Sequence, residues 1–549
     1  MANTPLHVYP IGGLGEIGKN MTAFRYSNDL LIVDAGLMFP ENDMLGIDYI
    51  IPDFRHLAAQ RNLNVRGIVI THGHEDHTGA IQHVVTAFNG PIYATSLTAG
   101  LLEVKLRQAR LLDQVSMNVF KAGDKLNLGP FQVETFHVCH SIPDCVGLGI
   151  QTPVGLFVHT GDFKFDNTPV DGWPTDFAKL AEFAGRGVMA LFSDSTNADR
   201  PGWTPSESVI DQAFDRVFQG ADGRIIVSTF ASLISRVQQV AWVSERYHRK
   251  IAIVGTSMQD NIRMAVNRGY LELPPNLIVP IDEAKKMPNH EVTIIVTGAQ
   301  GEPSAVLNRL ATGRLNHFAI QQGDTVILSA HAIPGNEETV HRTVNRLFQR
   351  GAQVIYDPIE PVHVSGHASQ EEQRLMLSLV RPKHFVPIHG ELRHLNQHSK
   401  LAQQVGIPRE RIAVVENGTE LIFKSDGTMT IGERIPGGYV FVDGSSVGDF
   451  GPAVIREREE LGRDGVVMVN AVITAEGGHV LHEPEIVMRG FMDGAGRDAL
   501  IDSAIQTVRR ILTQHNGGRK SDQVKDALSR LFYNETRRRP MIFAFINEV

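Results

Sequence analysis

The segment THGHEDHTGA, residues 71–80, concentrates four potential metal ligands in one short turn. It follows VRGIVIT, an apolar run typical of a buried strand, and precedes AIQHVVTAF, whose spacing predicts a helix. The strand-to-helix turn between them therefore contains His72, His74, Asp76 and His77. Imidazole and carboxylate groups bind zinc or manganese, and a tight loop can direct the first two histidines to one ion and the Asp-His pair to a second. The pattern indicates a metal site.

Two further ligands are expected at the ends of later strands. His140 follows the alternating run FQVETFHV, and Asp162 follows GLFVHTG in a tight turn. Because strand ends meet at one edge of a sheet, both side chains can reach the histidine loop. We interpret His137 and His159, which lie within these strands, as packed side chains. Alternation turns Cys139 away from His140, so we expect it in the core.

The segment IGGLGEIGKN, residues 11–20, suggests a different ligand. It matches the dinucleotide-binding pattern G-x-G-x-x-G, and the acidic Asp34 follows 16 residues after the last glycine. That pattern requires a helix that begins at the glycines and binds the pyrophosphate. MTAFRY and LLIVDAG, separated by the turn residues SND, predict two strands instead. We therefore exclude a dinucleotide site and expect Asp34 to hold the histidine loop by hydrogen bonds.

The composition limits location and partners. No run approaches the roughly 18 apolar residues of a membrane span, and MANTPLHVYP lacks the features of a secretory signal. Two cysteines, Cys139 and Cys145, suit a reducing compartment. We expect a cytoplasmic protein with no membrane association. The formal net charge of −9 implies that any nucleic acid is bound locally, by a cleft or a metal centre.

Several motifs carry a family resemblance. HGHEDH, HSIPD and TGDFKFD resemble the metallo-β-lactamase fold. SDSTNA (193–198), PGNE (334–337), HVSGHAS (363–369) and PIHGE (387–391) are similar to motifs of its β-CASP nucleases. In their order, and together with DGSSVGDFG from Asp443 onward, they resemble the bacterial ribonuclease J family over nearly the whole chain. The resemblance implies an α/β fold: a metallo-β-lactamase αββα sandwich with an inserted β-CASP α/β domain and a small C-terminal α/β domain.

The resemblance also implies how the ligands are shared. One metal ion would be held by His72, His74 and His140, and the other by Asp76, His77 and His389, with Asp162 bridging the two. It further implies a structural divalent cation, for which calcium is expected and Asp48 and Asp443 are our candidates.

Catalytic and substrate-binding roles follow from the same resemblance. Asp194 would support the site, and His367 would contact the scissile phosphate or protonate the leaving group. The expected catalytic residues are His367, Asp194 and Asp76, and the expected substrate contacts are His363, Val364, Ser365, Gly366, His367 and Ser369. GTSM, residues 255–258, differs from the GRSM that the resemblance predicts, so Thr256 cannot supply an arginine for RNA binding.

The domain boundaries follow from the separation of the ligands. An inserted domain explains why His389 lies so far from the other ligands, and the predicted capping box of Thr204, Pro205 and Glu207 would open its first helix. RIIVSTF, KIAIVG, EVTIIVTG and DTVILSA alternate with helical patterns, which predicts a parallel sheet. Strands and two amphipathic helices are predicted near the C-terminus. The expected ranges are 1–204 and 361–450 for the sandwich, 205–360 for the insertion and 460–549 for the C-terminal domain.

Two divalent ions can lower the pKa of a water molecule and neutralise phosphate oxygens. The expected function is a metal-dependent ribonuclease with 5′-to-3′ exonuclease and endonuclease activity, preferring 5′-monophosphate RNA ends, in rRNA maturation and mRNA decay. Zinc is the first expectation, with manganese or magnesium as alternatives. We expect a homodimer or homotetramer formed through the C-terminal domain. A small-molecule hydrolase of the lactamase or glyoxalase type would share the histidine loop without needing the insertion. A non-catalytic RNA-binding scaffold would have lost ligands.

Overall fold

The computed structural model describes residues 4–41, 44–300, 305–315, 318–332, 336–474, 479–494, 496–514 and 519–549. The chain forms two compact units, one of Met1–Phe39 with Tyr49–Val440 and one of Pro40–Asp48 with Phe441–Val549. Within the described ranges, every helix is too short or too polar to span a membrane. Pro334 and Gly335 of the PGNE motif lie outside the described residues.

An eight-stranded sheet contains the N-terminal strands. In spatial order its strands are Met429–Arg434, Thr419–Phe423, Leu6–Gly12, Met21–Tyr26, Asp29–Val33, Asn64–Val69, Ile92–Thr95 and Met117–Phe120. The two segments that follow the glycines pair as antiparallel strands. The predicted strand, turn and strand are confirmed, and no helix begins at the glycines to bind a pyrophosphate.

A six-stranded sheet packs against the first. In spatial order its strands are His384–Ile388, Val188–Asp194, Leu156–His159, Val146–Gln151, Phe131–His137 and Lys125–Leu128. The two sheets meet at Phe24, whose ring centroid lies 6.4 Å from that of Phe157 and 5.6 Å from that of Phe192. The accompanying helices are Arg55–Ala58, Glu75–Thr78, Ile81–Phe88, Ser96–Gln108, Phe177–Arg186, Gln370–Val380 and Leu392–Gln404. This arrangement is the predicted αββα sandwich.

The inserted segment forms its own parallel sheet. In spatial order its strands are Lys250–Val254, Val292–Val296, Ile225–Ser228, Thr325–Leu328 and Gln353–Ile355. Its helices are Ser208–Gln219, Ile234–Arg246, Thr256–Asn267, Ile281–Ala284, Val306–Thr312 and Glu337–Gln349. The predicted alternation of strands and helices is confirmed, since parallel strands need crossover connections of this kind.

The predicted capping box at the start of the insertion is wrong. The helix begins at Ser208, and the Glu207 side chain forms no capping hydrogen bond. Instead Glu207 is buried and neutralises two buried cations: its Oε2 accepts from Arg236 Nη2 at 2.9 Å and its Oε1 from Lys164 Nζ at 3.2 Å. The hydroxyl of Thr204 donates to the carbonyl of His367 at 2.7 Å. Glu207 therefore connects the insertion to the sandwich, and Thr204 holds the start of the insertion against the loop that contains His367.

The C-terminal unit is a sheet with helices. Its strands in spatial order are Glu485–Arg489, Val466–Ile473 and Met541–Glu548, and its helices are Pro452–Asp464, Arg497–Thr513 and Lys520–Thr536. These elements confirm the predicted strands and the two amphipathic helices. The remaining short elements of the chain are the strands Leu14–Gly15, Tyr49–Pro52, Gly390–Glu391, Tyr439–Asp443 and Ser446–Val447, and the 3₁₀ turns Leu112–Gln114, Asn289–Glu291 and Arg409–Arg411.

The two carboxylates predicted to hold a structural cation have protein partners in this unit. Asp48 Oδ2 accepts from the backbone N–H of Gly444 at 2.8 Å, and Asp443 Oδ2 lies 2.8 Å from Arg458 Nη2. Neither carboxylate belongs to a group of metal-ligand atoms in the part of the chain that the structure describes. An ion at this position would have to compete with the Arg458 guanidinium.

Glu207→Ala should lower the free energy of unfolding by about 3–5 kcal/mol, because it leaves the buried charge of Arg236 uncompensated and removes one of the two carboxylates that face Lys164. Thermal unfolding followed by circular dichroism should show a midpoint several degrees lower. The matched control is Glu360→Ala, which removes an exposed partner of Arg216 and should change the midpoint little. Equal shifts in the two variants would contradict a stabilising role for the buried network.

Candidate metal centre

The histidine loop lies at the edge of the eight-stranded sheet where parallel strands end. The loop leaves the strand Asn64–Val69 and enters the short helix Glu75–Thr78. Asp34 lies directly beyond the neighbouring parallel strand Asp29–Val33. Its backbone φ of 64° is in the left-handed region, which a short polar side chain with local hydrogen bonds tolerates. The pairing of the two parallel strands and the left-handed backbone of Asp34 together direct its carboxylate at the histidine loop.

The Asp34 carboxylate holds the loop by hydrogen bonds. Its Oδ1 accepts from the Thr71 N–H at 2.8 Å and from Thr71 Oγ1 at 3.0 Å, and its Oδ2 accepts from His77 Nδ1 at 2.8 Å. Because a carboxylate only accepts, His77 Nδ1 carries the proton and its Nε2 keeps a lone pair when the ring is neutral. Thr71 Oγ1 donates to Asp34 and can therefore only accept from His72 Nδ1, 3.1 Å away. The predicted bonds from Asp34 to the loop are confirmed.

The first group of ligand atoms comes from His72, His74 and His140, which lie within 4.8 Å of one another. His140 Nδ1 donates to the carbonyl of Gly366 at 2.7 Å, so its Nε2 presents a lone pair 3.1 Å from His74 Nδ1. Burial lowers the pKa of His74 to about 4 and the pKa values of His72 and His140 well below the usual range. Neutral imidazole is the form that binds a metal ion.

The second group comprises Asp76, His77, Asp162 and His389. Asp162 Oδ2 lies 3.1 Å from His77 Nε2, and its Oδ1 lies 2.8 Å from His389 Nδ1. Burial opposes protonation of both rings, but the Asp162 carboxylate outweighs it and raises the pKa of His389 to about 10 and that of His77 well above its usual value. The carboxylates of this group thus favour positive charge at this position.

Asp162 lies between the two groups. Its Oδ2 is 3.7 Å from His72 Nε2 and 3.9 Å from His140 Nε2, in addition to its contacts with the second group. His72 Nε2 is buried and has no hydrogen-bond partner among the described residues, which is costly for a polar atom unless it binds an ion. The converging nitrogen lone pairs and carboxylates, without any thiolate, fit divalent cations.

His367 and Asp194 lie beside this centre. His367 Nδ1 donates to Asp194 Oδ2 at 2.8 Å, and Asp194 Oδ1 accepts from the N–H of Thr196 at 2.9 Å. Burial opposes protonation of His367, but the Asp194 carboxylate raises the pKa of the ring. Asp194 and His367 also form a third group of ligand atoms together with Asp162 and His389. The geometry thus allows His367 to act on a proton or to bind a cation.

The predicted substrate loop, residues 363–369, differs in accessibility along its length. His363 packs its ring against His331 at 4.6 Å between centroids, and Val364 is buried. Ser365 Oγ accepts from the side-chain amide of Asn197 at 2.8 Å. Ser369 is buried, and its hydroxyl lies 2.9 Å from that of Thr204. His363, Ser365 and His367 are partly exposed, whereas Val364, Gly366 and Ser369 are buried.

Gly366 of this loop contacts His140, one of the predicted metal ligands. A Cβ atom at position 366 would lie 2.5 Å from His140 Cε1 and 2.5 Å from His140 Nδ1. The glycine therefore allows its own carbonyl to approach the ring and accept the His140 N–H. A larger residue would separate the loop from His140.

Two residues that hold the loop were missed in the sequence. Glu372 is fully buried and accepts three backbone N–H groups, from Phe165, Thr204 and Ser369, at 2.7, 2.7 and 2.9 Å. Asn197 donates to Ser365 Oγ and, at 3.1 Å, to the carbonyl of His367. Ser-x-x-Glu at positions 369–372 was a readable capping signal, whereas no local pattern marked Asn197.

His137, His159 and Cys139, which the sequence predicts to be packed, lie in packed positions. His137 stacks on Trp173 at 4.1 Å between ring centroids, and His159 packs against Phe192. Neither histidine is in a group of ligand atoms within the described ranges, and Cys139 is buried. Thr256 begins its helix with an exposed side chain, so the departure from GRSM leaves a small polar group at the surface.

The glycine-rich turn supports His389. Leu14–Gly15 pairs with Gly390–Glu391 as short parallel strands, and the Gly13 carbonyl accepts from the Gly390 N–H at 3.1 Å. Glu16 is buried in the turn, where Lys19 Nζ lies 2.7 Å from its Oε1. The turn therefore fixes the backbone beside a predicted ligand.

Family models match most of the chain. Those described as "Metallo-beta-lactamase superfamily", "Ribonuclease J, beta-CASP domain", "Zn-dependent metallo-hydrolase RNA specificity domain" and "Ribonuclease J C-terminal domain" match residues 14–201, 222–347, 351–412 and 453–549. A solved structure, of a protein of unknown function from Enterococcus faecalis, matches 76% of this chain and 100% of its own with a TM-score of 0.54 and 18% identity, which indicates a shared fold.

Curated relatives are similar over almost their full length. Ribonuclease J of Synechocystis is 40% identical over 98% of this chain and 86% of its own. Ribonuclease J2 of Bacillus subtilis is 38% identical over 99% of both chains, and Ribonuclease J of Thermus thermophilus is 40% identical over 99% of this chain and 95% of its own. Similarity of this extent shows that the chain belongs to the ribonuclease J family of the metallo-β-lactamase superfamily and is a metal-dependent ribonuclease.

Proposed function

We propose that this ribonuclease degrades RNA in the 5′-to-3′ direction, also cleaves it internally, and prefers 5′-monophosphate ends, in rRNA maturation and mRNA decay. The observation that carries the proposal is the position of the loop 363–369: Gly366 contacts His140 of the first ligand group, and His367 lies with Asp162 and His389. A phosphodiester seated at that loop meets the ligand groups and His367 together. The names of the relatives, Ribonuclease J and J2, support RNA as the substrate.

His72, His74 and His140 would hold one ion, and Asp76, His77 and His389 the second, with Asp162 bridging. Bound divalent ions would activate water for attack on phosphorus and neutralise phosphate oxygens. Zinc is our first choice because imidazole dominates the donor set, and manganese or magnesium remain alternatives. Local positive charge of this kind also reconciles an RNA substrate with a net charge of −9.

His367 is proposed as the group that contacts the scissile phosphate or protonates the leaving oxygen. Asp194 orients the ring through Nδ1, which leaves Nε2 to donate a proton. Ser365 is the proposed phosphate contact within the loop, since its side chain is partly accessible. Val364, Gly366 and Ser369 would act mainly by shaping the loop, given their burial and internal contacts, and so would His363, whose ring packs against His331.

The remaining proposals concern organisation. The ranges 1–204 with 361–450, 205–360 and 460–549 are proposed as the domains, and the cytoplasm as the location. Self-association as a homodimer or homotetramer is proposed through the C-terminal unit, whose sheet exposes Met468, Phe543 and Phe545. A calcium ion at Asp48 and Asp443 would require Arg458 to move.

The direction of cleavage is tested by mapping products from RNA labelled at either end, with and without a 5′-monophosphate. The proposal expects mononucleotides from the 5′ end, faster with the monophosphate, together with a few internal cuts. Products released from the 3′ end would overturn the direction. Equal rates on both kinds of 5′ end would overturn the end preference.

His367→Ala should reduce RNA cleavage by about 10²–10⁴-fold, because a general acid contributes this much to rate. Metal content, measured by mass spectrometry of the purified protein, should stay unchanged. His290→Ala, at an exposed histidine, is the matched control. Unaffected turnover would remove His367 from the mechanism, and loss of a metal ion would make it a ligand.

Asp34→Asn should weaken metal binding by about 10–100-fold, the usual effect of removing a carboxylate that orients a ligating histidine. Titration with a metal-buffered indicator measures this directly. The control Asp29→Asn alters the same strand at its surface pair with Arg66 and should leave the affinity unchanged. Wild-type affinity in Asp34→Asn would show that the carboxylate does not tune the ligands.

A further inference from the structure

We propose that Trp203 is a stacking residue that binds a nucleobase of the RNA beside the scissile phosphate. The inference rests on the proposed function, since it takes His367 to mark the position of that phosphate. It adds a contact to the base, whereas Ser365 and His367 would act on the phosphate.

The backbone on both sides of Trp203 is fixed to the substrate loop and the helix that follows it. The Gly202 carbonyl accepts from the N–H of Glu371 at 3.1 Å. On the other side of Trp203, the backbone N–H of Thr204 donates to Glu372 at 2.7 Å, and the Thr204 hydroxyl donates to the carbonyl of His367 at 2.7 Å. Trp203 is thus one residue away from a direct contact with the His367 backbone.

The side chain of Trp203 is left in solvent by this rigid backbone. It is 56% exposed, compared with 43% for Trp173 and 41% for Trp242, the two other tryptophans of the chain. Trp173 has its ring partner in His137, whereas Trp203 has no aromatic or cationic partner among the described residues. Because the backbone is already fixed, binding a flat ligand orders only the side chain, and the indole is open to that ligand.

The chemistry of the loop favours a nucleotide as that ligand. Every nucleobase has a π face, and stacking on aromatic side chains is the usual way in which proteins bind single-stranded RNA without reading its sequence. Arg200, in the same loop, is also exposed and provides a cation for the phosphates. A residue that stacks any base suits an enzyme that acts along an RNA chain.

The test compares cleavage of 5′-monophosphorylated RNA by the wild type and by Trp203→Ala, Trp203→Phe and Trp242→Ala, scored at the first bond cleaved. Trp203→Ala should raise KM by about 5- to 150-fold, as loss of one stacked base does, with kcat little changed. Trp203→Phe should restore most of the affinity. Trp242→Ala, at a similarly exposed tryptophan on a helix of the insertion, should match the wild type.

A series of RNAs with a single abasic residue identifies the stacked base. At one position the abasic RNA should remove the difference in KM between the wild type and Trp203→Ala, while abasic residues elsewhere preserve it. An unchanged KM for Trp203→Ala, or a difference that persists at every abasic position, would overturn the proposal. Failure of the wild type to cleave RNA would instead overturn the proposed function, so the two failures are distinct.

Discussion

The hydrogen bonds of the Asp34 carboxylate are the constraint on which the metal edge depends. A buried carboxylate is costly unless its oxygens accept several hydrogen bonds, and Asp34 accepts them from Thr71 and His77 of the histidine loop. These bonds decide which nitrogen of His77 carries a proton and, through the Thr71 hydroxyl, which nitrogen of His72 does. Asp34, which is not a predicted ligand, therefore fixes both the position of the histidine loop and the ring nitrogens that carry protons.

A second buried carboxylate performs the same task for the substrate loop. Glu372 binds backbone N–H groups of three segments: the turn after Asp162, the start of the insertion and the end of the loop 363–369. Arg236 of the insertion donates to the Val362 carbonyl at 2.8 Å while paired with Glu207. The insertion, the substrate loop and the metal edge are consequently joined by buried polar contacts, which keep a specific geometry more strictly than apolar packing does.

The sequence predicts those parts of the site whose residues are close together in the chain or follow the ends of strands. The first four predicted ligands follow one strand within six residues, and His140 and Asp162 follow strand ends, so sheet geometry alone brought them together. His389, Asp194 and His367 came only from resemblance, because no spacing connects them to the loop. The predicted capping role of Glu207 is wrong because a capping box is a local pattern, whereas the cations that neutralise this carboxylate lie elsewhere in the chain. Trp203 carried no periodic signal, since its significance depends on which loop its neighbours bind.

The hydrogen bond from His140 to the Gly366 carbonyl makes loop position and metal affinity thermodynamically linked. The docked loop holds the proton on Nδ1 and so keeps the Nε2 lone pair available to a cation. Coupling of this kind is reciprocal. If contact between the loop and His140 raises the affinity for a metal ion by some factor, a bound ion raises the equilibrium constant for that contact by the same factor. The loop that would receive RNA would thus also influence how firmly the protein retains bound ions.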